Sequence, residues 1–374
     1  MKDRPSSPSS SNLSRTDSTN ARRIAVARLR HQHLTANPTL TSAADVVRTL
    51  GAVQSQDYAG AKWAIGMRAR GLTDADIERA FNAGEILRTH VMRPTWHFVA
   101  PEDLQWMQRL TAPRVVAKMA PYNRTLELTS AVLRKSNTII ERSLVGGRFL
   151  SRAQLKAALD RARINTEGTQ RLARIVMQAE LEGLVCSGPR VGKQFTYALL
   201  SERAPRSRDL SGDDALAELT RRYFVSRAPA TVQDFAWWSG LSIVQCRRGV
   251  EALGNELDVC AVGGVSYHVP RTFALPRATS SSAHLLPNYD EYFIGFRDRA
   301  AIADRIGSLE LVTGGNALIS NVVIVGGQLV GGWRRKQGNG QLEIELTLKA
   351  PLSSAERVRV EAAVAQLQRF VALP

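Results

Sequence analysis

Three times along these 374 residues a hydroxyl side chain is followed, three positions later, by an acidic or amide one, and a helical apolar spacing begins there: Ser42 with Asp45, Ser151 with Gln154, Thr231 with Asp234. Each opening helix is succeeded by further helical segments and then by two short β-rich runs. These fall at 86–91 and 95–99, at 184–187 and 195–199, and at 257–262 and 265–269, the last pair joined by Gly263-Gly264, a dipeptide suited to a tight primed turn. Helices closed by a two-stranded hairpin are the layout of a winged helix, in which one helix enters a groove and the hairpin touches backbone. The spacing predicts such units over 21–120, 121–205 and 206–280. Units of this kind also serve as dimerisation modules.

Residues 1–20 are rich in serine, contain Pro5 and Pro8 and have no apolar face, so a disordered tail is expected. The stretch 21–33 is spaced as a basic helix, with Ile24, Ala25 and Leu29 on one side and Arg22, Arg23, Arg28 and Arg30 around the rest. Over 281–374 the pattern changes to apolar strands at 317–325, 328–334 and 342–348, with turns at Gly326-Gly327 and Gly338-Asn-Gly340. A final helix over 355–370 should turn Val358, Val360, Val364 and Leu367 to that sheet. The fold class read from this is α+β: three tandem winged-helix units and a β-rich C-terminal domain.

The net charge of +16 and pI near 10.4 point to a polyanionic partner, nucleic acid first among them. Only eight of the 50 basic residues are lysine. A G+C-rich genome explains that ratio but not the excess of positive charge. Cys186, Cys246 and Cys260 stand too far apart for a disulfide framework or thiolate site, and His31 and His33 have no third ligand nearby, so the pair reads as a solvated helix end and no metal is expected. No apolar run is long enough for a membrane span, and no hydrophobic signal core opens the chain, so the expected location is cytoplasmic, including the nucleoid. Arg190 and Lys193 lie in Gly188-Pro-Arg-Val-Gly-Lys193, which sits between two strands and so reads as a wing tip, not a phosphate loop. Arg221, Arg222, Arg247 and Arg248 flank the third unit and suit phosphate contacts.

Four segments carry a resemblance: Leu50-Gly-Ala-Val-Gln-Ser-Gln-Asp57, Arg88-Thr-His-Val-Met-Arg-Pro-Thr-Trp-His97, Thr231-Val-Gln-Asp-Phe-Ala-Trp-Trp-Ser-Gly-Leu241, and Leu285-Leu-Pro-Asn-Tyr-Asp-Glu-Tyr-Phe-Ile-Gly-Phe-Arg-Asp-Arg299. Together they resemble the bacterial winged-helix DNA glycosylases of the AlkZ-like group, over roughly residues 24–370. The resemblance implies a small C-terminal β-barrel, catalytic glutamines at Gln54 and Gln56, His97 as a second-rank site residue and Arg93 as a phosphate contact; Asp57 and Thr95 are second-rank candidates beside them, and Arg88 is expected to contact DNA. It also implies no cofactor, a monomer, and double-stranded DNA with alkylated purines as partner. Where the family has a hydrophobic residue between the glutamines this chain has Ser55. A sister group carries Asp in place of the second glutamine, so the amide here leans toward the crosslink-type group.

Two amides suit that chemistry. Breaking an N-glycosidic bond develops positive charge on the sugar and needs a water on its far side. A purine alkylated on a ring nitrogen is already cationic and leaves readily, so no general acid is required; one carbonyl can orient the water while the other amide holds sugar or phosphate. Geometry is the condition. If Gly51 ends the helix begun at Ser42, Gln54 and Gln56 share a face of an extended segment; if the helix continues, Gln54 pairs with Asp57, which becomes the base. Arg93, Thr95 and His97 alternate along a strand and share one face, leaving Trp96 on the other as core. The competing class is a non-catalytic DNA-binding protein, a regulator or architectural factor, for which a palindrome-reading dimer is expected.

Overall fold

The computed structural model describes residues 10–168, 170–277, 280, 282–307, 320–337 and 342–372. It opens on a long helix, α1 (Ser10–His31), so regular structure begins inside the serine-rich stretch expected to lack it; residues 1–9 of that stretch lie outside the described residues. Arg28, assigned to the solvent side, is buried: its guanidinium lies 3.8 Å over the Phe296 ring and donates Nε–H to Pro229 O. His31 is likewise structural and not merely solvated, donating Nδ1–H to Val225 O at 2.8 Å and stacking on Phe273.

In the first unit α2 (Ala43–Leu50) starts where Ser42 Oγ accepts the Asp45 N–H, and stops at Gly51, whose φ of 78° is a conformation that a Cβ penalises. The chain therefore runs extended through β1 (Val53–Gln54) before α3 (Tyr58–Gly66) and α4 (Asp74–Ala83). The hairpin of β2 (Leu87–Val91) and β3 (Arg93–Val99) follows, and β1 adds to it, giving the order β1-β3-β2 with Gln54 opposite His97. Helix α5 (Pro101–Thr125) leads out of the unit.

The second unit comprises α6 (Ser130–Leu144), β4 (Leu150–Ser151), α7 (Arg152–Arg161), α8 (Arg171–Leu181), the hairpin β5 (Val185–Ser187) and β6 (Thr196–Leu199), and the short α9 (Leu200–Arg203). The third comprises α10 (Gly212–Arg227), α11 (Val232–Ser239), α12 (Ile243–Leu253) and the hairpin β7 (Leu257–Val262) and β8 (Val265–Pro270). Reciprocal capping boxes form at Ser151/Gln154 and Thr231/Asp234. At Ser42 the bond runs one way, because the Asp45 carboxylate turns to Arg48. Gly240, between α11 and α12, has φ 72°, and a Cβ there would stand 2.4 Å from Met92 O, so the third unit packs its turn directly against the first hairpin.

The C-terminal part holds β9 (Ala283–Leu286), α13 (Glu291–Ile294), α14 (Ala300–Ala303), β10 (Val322–Val325), β11 (Gln328–Gln337), β12 (Leu342–Leu348) and α15 (Ser354–Val371). Residues 317–319 of the expected first run and the turn at 338–340 lie outside the described residues. No closed barrel is found among the described residues, where the strands form an antiparallel sheet in the order β12-β11-β10-β9 with no pairing of its end strands. Helix α15 packs against this sheet. Val360, Ala363, Leu367 and Phe370 are the buried residues of that helix, while Val358, expected inward, points to solvent.

The units do not share the core evenly. One continuous core joins residues of the first unit, the third unit and the C-terminal sheet, whereas the second unit has its own around Ile140, Leu155, Leu159 and Ile175. Trp63 carries part of the join: its Nε1–H donates to Leu285 O at 2.7 Å and its ring meets Phe370. A unit of about a hundred residues or fewer buries a smaller share of its surface alone than a larger body does, so pooling cores stabilises all three.

Candidate active site

Because Gly51 ends α2, Gln54 enters β1 in extended conformation and the helical alternative for Asp57 falls away. Asp57 caps α3, its Oδ1 accepting the Gly60 N–H at 3.1 Å. The segment between is held from three sides. Ser55 N–H donates to Trp96 O (2.7 Å), Arg88 Nε–H donates to Ser55 O (3.1 Å), and Gln54 N–H donates to the Glu291 carboxylate (3.0 Å), brought from the C-terminal part. Glu291 is fully buried, and its other oxygen accepts from Arg227 Nη2 (2.6 Å) and Trp238 Nε1 (2.8 Å). Arg227 in turn donates to Leu50 O, so both ends of the turn into β1 are fixed by one buried ion pair.

Arg93 and His97 project to the same face of β3, as their alternation predicts. Arg93 Nη2 donates to Gln54 Oε1 at 2.9 Å and lies 3.4 Å from His97 Nε2. His97 Nδ1–H donates to Thr95 O (3.0 Å), which fixes the neutral tautomer with Nε2 as acceptor. Burial, and then the Arg93 charge, push the His97 pKa well below 6.5. Arg93, expected on a phosphate, is thus spent orienting Gln54 and bridging it to His97. The Thr95 Oγ1 and Ser55 Oγ hydroxyls are buried without a hydrogen-bond partner. Gln54 itself is 7% exposed, whereas Gln56 is exposed and lines a cavity of about 170 Å3 between the first hairpin and α8. Pro94 is shared between that cavity and a second, wider cleft of about 570 Å3 whose rim carries Arg114 and Lys118.

His284 on β9 is also buried and held neutral, its pKa brought down to about 4 by loss of solvation. While both states are neutral such histidines have no effect on stability. As pH falls through 6.5 the unfolded chain takes up protons that the folded chain refuses, so stability drops. Thermal melts should therefore weaken progressively from pH 6.5 toward pH 4, with His284 alone contributing about 3 kcal/mol at the acid end. A melting temperature flat between pH 7 and 5 would contradict this.

Several residues expected to contact DNA have protein partners in the structure. Arg88 is buried between Trp96 (4.4 Å) and Phe195 (4.6 Å), and burial lowers its pKa to about 10. Arg190 pairs with Glu78 at 3.2 Å and lies over Tyr58, docking the second hairpin on the first unit. Arg221 pairs with Glu256 and Glu218, and Arg222 with Asp103 and Glu218. Arg248 meets Asp213 at 2.5 Å in the open. For Arg190, Arg221, Arg222 and Arg248 at least one carboxylate partner comes from another element, which a basic run in the sequence does not reveal. Lys193 and Arg247 remain exposed. Conversely Trp96, read as core, is half-buried and lines the Gln56 cavity, together with His90 and Glu180, which sequence reasoning passed over. Glu180 did leave a signal: a carboxylate on the apolar side of a helix, beside Val176 and Ala179.

Comparison with known proteins gives the class. These are DNA glycosylases, enzymes whose substrate is DNA. The family model described as DNA glycosylase AlkZ-like matches residues 47–370, and the chain belongs to that family. A Streptomyces sahachiroi protein described as an interstrand DNA cross-link repair glycosylase is 24% identical over 340 residues, covering 87% of this chain and 88% of the relative. The solved structure of Streptomyces sahachiroi DNA glycosylase AlkZ is similar with a TM-score of 0.76 at 22% identity, over 94% of this chain and 98% of that one. The shared fold is the mixed α/β architecture described above.

Proposed function

We propose that the chain hydrolyses the N-glycosidic bond of purines carrying a cationic N7 or N3 alkyl group in double-stranded DNA, interstrand crosslinks included, acting as a cofactor-free monomer on nucleoid DNA. The carrying observation is the Gln54–Arg93–His97 chain beside Gln56 at a cavity mouth. Arg93 occupies the Gln54 carbonyl, so the Gln54 NH2 group is the one that holds sugar or phosphate, and the Gln56 carbonyl orients the attacking water. As the bond breaks its electron pair stays with the base and quenches the ring cation, water captures the sugar, and its proton leaves to solvent. Asp57, committed to a helix cap, takes no part. A non-catalytic regulator has no use for an amide locked by a half-buried arginine. The assay is direct: duplex bearing N7-methylguanine gains abasic sites on incubation. Tight binding with no base release from any alkylated duplex would sink this reading in favour of a binder.

The three helix-and-hairpin units act as winged helices on this reading, with backbone contacts from exposed cations. Lys193→Ala and Arg247→Ala should each lower the slope of log affinity against log salt by about 1, and Arg221→Ala, whose charge is already neutralised by two glutamates, should leave it unchanged. Titrations at several salt concentrations separate the two cases.

A further inference from the structure

The cavity that Gln56 opens into combines an aromatic face with a buried negative charge. Glu180, on α8, is 1% exposed, and one of its carboxylate oxygens is hydrogen-bonded to His90 Nδ1. The His90 ring lies 4.5 Å from the Trp96 ring. The Glu180 backbone is fixed as well, its carbonyl accepting from Gln108 Nε2 at 2.5 Å. Arg152 and Arg174 also line the cavity and supply positive charge suited to phosphates. A carboxylate with so little exposure is costly to bury, and it sits on the wall of the cavity. An aromatic face beside a carboxylate is a combination suited to a flat, delocalised cation. The volume of about 170 Å3 is that of a site for one heterocycle, below the range of drug-sized pockets.

We propose that this cavity receives the cationic purine ring, beside Trp96 with its charge against Glu180, and that Glu180 selects the lesion without speeding its release. The inference rests on the glycosylase reading above and deepens it. Its sign follows from charge movement. In the bound lesion the positive charge is on the base; on the way to the transition state it passes to the sugar. A carboxylate beside the base therefore favours the bound state and gives nothing to bond breaking. His90 is a positioning residue, aiming the carboxylate.

The test is single-turnover base release from N7-methylguanine duplex as a function of enzyme concentration. Glu180→Gln keeps the shape and removes the charge; it should raise the half-saturating concentration about ten- to a hundredfold, with the maximal rate unchanged or higher. Ala173→Phe, from the half-buried part of α8 that lines the cavity, leaves the polar network untouched and should block release while affinity for undamaged duplex stays the same. A fallen maximal rate with unchanged half-saturation in Glu180→Gln would overturn the proposal, as would undiminished release by Ala173→Phe, which decides the matter if Glu180→Gln does not fold. No release by the unaltered protein would instead overturn the glycosylase reading and this one with it.

Discussion

Gln56→Ala should slow base release from N7-methylguanine duplex by about 10²–10⁴-fold, the usual contribution of a group that positions a reacting water, while duplex affinity changes by no more than a few-fold. The segment that carries Gln56 is held by backbone bonds from Ser55 to Trp96 and by Arg88 to the Ser55 carbonyl, so truncating an exposed side chain leaves the loop in place. Gln54→Ala should lose activity by a different route. It removes the acceptor from Arg93 Nη2 and leaves that half-buried guanidinium only His97 as a hydrogen-bond partner, so a stability loss of about 1–3 kcal/mol should accompany the lost rate. Single-turnover release with binding measured in parallel separates chemistry from association. Retention of more than about a tenth of the rate in Gln56→Ala would remove this residue from the reaction.

The largest effect on stability is expected at Glu291. Its replacement by alanine strands Arg227, a fully buried guanidinium, and takes the acceptor from Gln54 N–H and Trp238 Nε1 at once. Breaking a buried pair on one side costs about 3–5 kcal/mol. Glu291→Gln retains the shape but not the charge and should fall between that variant and the native chain. Calorimetry reads both, and an unchanged midpoint for Glu291→Ala would contradict the role given to this ion pair. Because the same carboxylate fixes the strand that carries Gln54, the Glu291→Gln protein that remains folded should also lose base-release rate in excess of its lost stability.

The sequence made the local features legible because their causes are local. Ser151 and Thr231 start helices through bonds spanning three residues, the paired β-rich runs form the three hairpins, and alternation along β3 puts Arg93 and His97 on one face. Gly51 posed a question that the residues alone left open, and its positive φ answers it in favour of the extended Gln54. The charged residues were harder to read. Arg88, Arg190, Arg221 and Arg222 look alike in a basic chain, and what separates them from Lys193 is a glutamate, an aspartate or an aromatic ring brought near by folding.

Amino-acid order by itself determined the helices, the hairpins, the polyanionic partner and the motif around Gln54 and Gln56, since hydrogen bonding over a few residues, side-chain period and net charge all survive without knowledge of the fold. Only the tertiary structure decided that Glu291 and Arg227, remote in the chain, clamp residues 50 and 54, that the described C-terminal strands pair in the order β12-β11-β10-β9, and that Trp96 and Glu180 line one cavity with Gln56. Those arrangements depend on which distant groups exclude water from one another, and desolvated contacts between remote segments leave no periodicity to read.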